Sequence, residues 1–162
     1  MTRQLGLRFK EACLLDVRKA AAQARQFGRI KVTRGAKGGR GDRSDRWVPV
    51  DGETQRILDK ATQLQASEKN LIPPGMSYRQ WRDHAYNRWR KATRGTSIDG
   101  FHDMRAAYAC ERYKAITGYP APVITGERQA SKSLDSRARM ILAHELGHNR
   151  TDVVAAYIGS SR

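Results

Sequence analysis

Apolar and polar positions recur with two different periods along this chain, and the changes of period mark its elements. From Arg8 to Gln26, Leu14, Val17 and Ala21 recur at helical spacing, and Gly28 follows as a C-terminal stop, which predicts a helix. Arg29-Ile30-Lys31-Val32-Thr33 then alternates polar with apolar and reads as a strand. The glycine-rich run from Gly35 to Gly41 is a flexible turn, and Trp47-Val48-Pro49-Val50 is the partner strand, so this stretch predicts a β-hairpin with a long basic tip. A helical pattern returns from Glu53 to Ala66, with Ile57, Leu58, Ala61 and Leu64 on one side, and Ile72-Pro73-Pro74-Gly75 breaks it. Ser77 is placed to cap a helix running to Ala92, whose stripe of Tyr78, Trp81, Ala85 and Trp89 predicts core packing. Phe101 to Ile116 is helical. Gly118 to Ser133 reads as an extended surface loop, and two further helices, Leu134 to Leu146 and Thr151 to Tyr157, are separated at Gly147. The pattern predicts one mostly helical α+β domain with a small antiparallel sheet. A three-stranded sheet is expected near the hairpin, with the source of its third strand left open.

Composition narrows the setting. The longest apolar runs are a few residues, against the roughly 20 a bilayer span requires, so no membrane-spanning helix is expected. No N-terminal apolar stretch with a small-residue cleavage site is present, and Cys13 and Cys110 both sit in apolar helical patterns. They read as buried free thiols of a reducing compartment, the cytoplasm, and not as a disulfide. Charge changes the picture most: 31 Lys+Arg against 16 Asp+Glu leave a net charge of +15. Such an excess costs stability by self-repulsion and points to a polyanionic partner. Nucleic acid is the expected partner, since each neutralised phosphate releases condensed counterions. An acidic lipid surface or plain solubility would also use this charge, and charge alone separates neither DNA from RNA nor a binder from an enzyme.

Candidate chemistry comes from short strings in a particular order. They are Leu5-Gly6-Leu7-Arg8-Phe9-Lys10-Glu11, Lys37 in the hairpin tip, His102-Asp103-Met104-Arg105, Leu146-Gly147-His148, and Tyr157 nine residues after that histidine. This order and spacing resemble the catalytic domain of the tyrosine recombinases, the phage-integrase family, across nearly the whole chain from Arg8 to Tyr157. The stretch Gly95-Thr96-Ser97-Ile98-Asp99-Gly100-Phe101-His102 also resembles that family's approach to its second arginine. The resemblance implies site-specific cutting and rejoining of double-stranded DNA, as in a prophage or genomic-island integrase, through a 3′-phosphotyrosine link made by Tyr157. It implies no nucleotide cofactor and no metal, a tetrameric synapse in the full-length protein, and a bacterial cytoplasmic, nucleoid-associated location. It further implies an N-terminal core-binding domain that residues 1–162 do not contain, so the chain is expected to be the catalytic domain alone. The segment between Arg105 and His148 is longer than usual for the family, and the Gly118–Ser133 loop accounts for the excess.

The chemistry needs these residue types. A phosphodiester under attack gathers negative charge on its equatorial oxygens, and two guanidiniums from different segments, Arg8 and Arg105, can clamp them with fixed forks. An isolated tyrosine hydroxyl is about one part in a thousand phenolate at neutral pH, so Tyr157 needs cations or a nearby base to attack. His102, three residues before Arg105 on the same helix face, is placed to share the tyrosine proton. Lys37, with Lys31 as a weaker candidate, could protonate the leaving 5′-oxygen. His148 would bond a non-bridging oxygen, and Glu11, three residues after Arg8, would orient an arginine from behind. Arg34, Arg40 and Arg43 beside Lys37 are the expected DNA contacts of the hairpin. The short segment bearing Tyr157 could leave it outside the pocket when no DNA is bound.

Singly, each feature has a mundane reading. Arg8 and Glu11 could be an ordinary helical ion pair, Lys37 a solvated charge, and His102 and Arg105 a helix-start pair. His148 could cap a helix, and Tyr157 could be a core tyrosine like Tyr108 and Tyr113. A catalytically incomplete DNA-binding remnant is the alternative function. His144-Glu145-Leu146-Gly147-His148 also matches the H-E-x-x-H string of zinc hydrolases, but no third ligand follows at a suitable place, since Asp152 is the one acid after it. The glycine run from Gly35 to Gly41 lacks the G-K-[ST] ending of a nucleotide-binding loop.

Overall fold

A computed structural model of the chain describes residues 1–35, 45–148 and 150–161. Lys37, Arg40 and Arg43 lie outside the described residues. The elements, in chain order, are helices α1 (Thr2–Leu5), α2 (Phe9–Cys13) and α3 (Val17–Phe27), strands β1 (Arg29–Lys31) and β2 (Trp47–Pro49), then helices α4 (Gly52–Thr62), α5 (Tyr78–Ala92) and α6 (Phe101–Thr117). Helices α7 (Pro122–Thr125) and α8 (Lys132–Glu145), a 3-10 turn at Asp152–Val154 and α9 (Ala155–Ile158) complete the chain. The α+β class and the helical majority hold.

The single helix expected from Arg8 to Gln26 is two helices. Asp16 breaks it: its carboxylate accepts a bond from the Lys19 amide at 3.2 Å and caps α3. Gln65 reinforces the start of α3, its side-chain oxygen accepting from the amides of Val17 and Arg18 at 2.8 and 3.2 Å. That use of Gln65 ties down the segment after α4, which supplies no strand. Among the described residues the sheet has two strands and not three, paired antiparallel with Ile30 opposite Val48. The loop expected from Gly118 to Ser133 is also interrupted, because Pro122 starts the short helix α7 at a position where its missing N–H is harmless.

The core joins both halves of the chain. Leu5, Leu7, Val17, Ile30, Val48, Leu58, Ala109, Tyr113, Ala138, Leu142, Leu146, Val154 and Ile158 are fully buried. Helix α3 packs on α4 and β1, and α6 packs on α1, α8 and α9. Leu64, expected on the buried side, is exposed, since α4 ends at Thr62 and takes its apolar stripe no further. Helix α5 buries no residue completely. Its expected core stripe is instead a half-buried seam, in which Tyr86 and Trp89 meet the rings of Phe9 and Phe101. The Phe9–Phe101 and Trp89–Phe101 centroids are 4.5 and 4.6 Å apart, and Tyr86 meets Phe9 edge-on at 5.2 Å. Arg79, Arg88, Arg90 and Lys91 of α5 are exposed to solvent. No helix of the described residues is long and apolar enough to cross a membrane.

Candidate active site

Three local structures aim the polar groups of the site at one place. The first is the start of α2. Gly6, at φ 57°, ends α1 in a left-handed turn, and a Cβ there would stand 2.5 Å from the Tyr108 ring. The chain then turns so that Arg8 is the N-cap of α2, and the Glu11 carboxylate reaches back to accept the Arg8 amide at 2.7 Å. The second is the start of α6, where the Asp103 carboxylate accepts the amides of Asp99 and Gly100 at 2.7 and 3.0 Å and fixes the turn that presents His102. The third is the end of α8. Gly147, at φ 67°, permits a Schellman turn in which the His148 amide bonds the Ala143 carbonyl at 2.7 Å and the Gly147 amide bonds the His144 carbonyl at 3.0 Å.

Arg105 is the hub of the cluster. It is 2% exposed, and its Nη1 and Nη2 donate to the carbonyls of Gly6 and Leu146. Its Nε donates to the Tyr157 hydroxyl at 3.1 Å, and its Nη2 lies 3.2 Å from His148 Nε2. The Tyr157 hydroxyl is also 3.4 Å from His148 Nε2, and the His102 ring stands 5.0 Å from the Tyr157 ring. Tyr157 is therefore inside the cluster and buried, not outside it as its short segment allowed. Helix α9, which carries it, is held by Arg139 on the Gly159 carbonyl at 3.0 Å and by Arg128 on the Ser161 carbonyl at 3.1 Å. The expected terminal helix from Thr151 is shorter than its pattern suggested, because a 3-10 turn takes its first residues.

Arg8 joins the cluster through Glu11. The Arg8 guanidinium donates to the Glu11 carboxylate at 2.7 Å, and the Arg105 Nη1 is 4.0 Å from the same carboxylate. The two arginines singled out from the sequence thus flank one anion. His102 is exposed and Arg8 is half-buried, so they form the open side of the cluster, while Arg105 and Tyr157 form its floor. Arg34 is exposed and donates to the Lys69 carbonyl at 2.7 Å. Lys31 faces Asp45 at 3.9 Å and the Trp47 ring, away from the cluster's direct contacts.

Arg46 has no counterpart among the residues the sequence singles out. It precedes β2, is 3% exposed, and donates from Nη1 to the Glu11 carboxylate at 2.7 Å and from Nε to the Glu145 carbonyl at 2.8 Å. Arg46 follows the glycine-rich run in sequence, and no local pattern marks it as buried. Gly147 packs against it, a Cβ there standing 2.8 Å from Arg46 Nη1, a contact that spans about a hundred residues of sequence and leaves no local signal.

The electrostatics follow from burial and from these cations. Burial and the neighbouring Arg105, Arg8 and Arg46 push the His148 imidazole down to about 4, so it is neutral at pH 7. Burial alone would raise the Glu11 carboxyl, but Arg46 and Arg8 hold it below the usual carboxylate range. Among the described residues the cluster holds the Arg8, Arg46 and Arg105 guanidiniums against the Glu11 carboxylate, an excess of positive charge suited to an incoming anion. Glu145 adds none to that balance, because its carboxylate is taken by the Tyr108 hydroxyl at 2.9 Å and by Arg112 at 2.8 Å.

The H-E-x-x-H string does not form a one-faced pair of imidazoles. Helix α8 ends at Glu145, the Schellman turn carries His148 away from the exposed His144, and the glutamate is engaged by Tyr108 and Arg112. Among the described residues no group of His, Cys, Asp and Glu is arranged to hold a metal ion. Comparison of the chain with protein-family models, with curated proteins and with solved structures finds no match.

Proposed function

We propose that the protein cuts and rejoins double-stranded DNA as a tyrosine-type site-specific recombinase. One observation carries this reading: the Tyr157 hydroxyl, brought from the C-terminal end of the chain, meets the buried Arg105 guanidinium at 3.1 Å and neutral His148 at 3.4 Å, with His102 and Arg8 on the open side. A core tyrosine needs one hydrogen-bond partner, whereas the Tyr157 hydroxyl meets a buried guanidinium and an imidazole together.

The chemistry is a transesterification. Tyr157 Oη attacks the scissile phosphorus, the Oη–P bond forms, and the P–O5′ bond breaks. The phenolic proton passes to His102, and the leaving 5′-oxygen takes a proton from Lys37. Arg105 and Arg8 hold the non-bridging oxygens, where charge develops in the transition state, and His148, switched to the tautomer with its proton on Nε2, donates a hydrogen bond to one of them. A 5′-hydroxyl from a partner strand then attacks the phosphotyrosine, releasing Tyr157 and restoring a phosphodiester. Bond energy is kept throughout, so no nucleotide is consumed. The exposed basic residues of α5 and the arginines Arg34, Arg40 and Arg43 supply phosphate contacts along the duplex.

The test is a nicked suicide duplex that traps the covalent intermediate. The unaltered protein is expected to form a denaturation-resistant protein–DNA adduct, and Tyr157→Phe to bind the duplex without forming it. DNA binding with no adduct from either protein would replace this reading with the non-catalytic binding module.

A further inference from the structure

The buried guanidinium of Arg46 takes no part in the chemistry just described, yet it touches the two structures that aim the site. Its Nη1 holds the Glu11 carboxylate, the partner of Arg8, at 2.7 Å. Its Nε holds the Glu145 carbonyl, one of the last carbonyls of α8, at 2.8 Å. The next carbonyl along, that of Leu146, is held by Arg105. The C-terminal end of α8 is thus caught between two arginines, where the negative end of its dipole is favourably placed. Gly147 packs directly on Arg46, and His148 follows it. The Arg46 carbonyl also accepts the Val32 amide at 3.0 Å, which continues the hairpin ladder one step beyond β1 and β2.

We infer that Arg46 is a positioning residue of the phosphodiester site, holding Arg8 through Glu11 and His148 through the Glu145–Gly147 turn. The inference rests on the reading of the cluster as a site of phosphodiester attack. It adds a residue whose contacts are with protein groups, at the root of the hairpin that carries Lys37. A guanidinium suits this role because its planar fork fixes the separation of two acceptors, here a carboxylate on α2 and a carbonyl on α8. A lysine supplies the same charge but as a point, and can satisfy one of the two with correct geometry and not both.

That difference makes the role separable from plain folding. Arg46→Lys and Arg46→Gln are compared with the unaltered protein in two assays. The first is single-turnover adduct formation on the nicked suicide duplex across DNA concentrations. The second is NMR titration of the His148 ring in the absence of DNA. The titratable and charged groups acting on that ring are Arg105, Arg8, Arg46, Glu11 and the Tyr157 hydroxyl. In Arg46→Lys the adduct rate at saturating DNA is expected to fall on the order of 10²-fold, as for a reacting group misplaced by about 1 Å, with little change in the half-saturating DNA concentration. The His148 ring resonances are expected to shift while its titration stays low. In Arg46→Gln the titration is expected to move up slightly from about 4, because the weakest of the three facing cations is gone while burial, the main cause, remains.

An unaltered adduct rate in Arg46→Lys, or a loss that only follows the folded fraction, overturns the inference. Should the unaltered protein form no adduct, the functional reading fails, and the NMR arm still judges Arg46: unchanged His148 resonances in the lysine variant overturn its positioning role. If Arg46→Gln does not fold, Arg46→Lys carries both arms.

Discussion

Glu11→Gln is the substitution for which the structure gives the most definite consequence. The Glu11 side chain is completely buried, with Arg8 and Arg46 each at 2.7 Å and Arg105 at 4.0 Å. Arg46 and Arg105 are buried with it, at 3% and 2% side-chain exposure, so neither can turn to water when the carboxylate is lost. A charge pair about 4 Å apart is worth about 4 kcal/mol at an effective dielectric constant of about 20. Leaving one buried charge without its partner typically costs about 3–5 kcal/mol. Arg8 is half-exposed and recovers part of its loss by hydration, so the effect is carried by Arg46. Urea unfolding at pH 7, followed by circular dichroism, should show a loss of about 3–5 kcal/mol with an unchanged denaturant slope. The double variant Glu11→Gln/Arg46→Met removes both charges and fills the space with an apolar chain, an exchange that is often close to neutral. It should therefore be more stable than Glu11→Gln alone. A single-variant loss below about 1 kcal/mol, the scale of one neutral hydrogen bond, would refute the reasoning, as would a double variant weaker than the single one.

The His148 imidazole sits below its unfolded value, so the unfolded chain binds the extra proton. Stability should therefore fall as pH drops from 6.5 toward about 4, by at most about 3 kcal/mol and less in proportion to its partial hydration, as read from melting temperatures across that window. Glu11 adds a further acid loss below its unfolded value of 4.5, which Glu11→Gln should abolish. Gly6→Ala should cost about 2–4 kcal/mol in denaturant unfolding, from the left-handed backbone and the 2.5 Å approach to Tyr108. Arg105→Lys can satisfy at most one of the Gly6, Leu146 and Tyr157 acceptors with correct geometry, and should abolish adduct formation while retaining duplex binding in a gel-shift assay. Duplex binding should weaken linearly in log–log salt titrations with a slope near −0.9 per phosphate contact, and a flat titration would contradict the clamp.

Legibility in the sequence followed how local each determinant was. Helix α5 was readable because Ser77 and Gln80 form a complete capping box, and α6 because Gly100 and Gly118 bracket it. His102, Arg105, His148 and Tyr157 stand out in the sequence by order and spacing, and the structure brings them close together. The break between α2 and α3 was hidden because Leu14, Val17 and Ala21 keep helical spacing across it, while the cause, the capping by Asp16 and Gln65, depends on a residue 48 positions from Val17. Arg46 was hidden for the same kind of reason. Nothing within its own stretch distinguishes a buried arginine from an exposed one; its burial is decided by Glu11 and by the end of α8.

The seam of aromatic rings under α5 has a mechanical consequence. Phe9 directly follows Arg8, Phe101 directly precedes His102, and the two rings meet 4.5 Å apart at a 31° tilt, with Trp89 and Tyr86 against them. The two cluster members that face solvent therefore share one axle. A substitution that shrinks Phe9, Phe101 or Trp89 is expected to disturb the settings of Arg8 and His102 together.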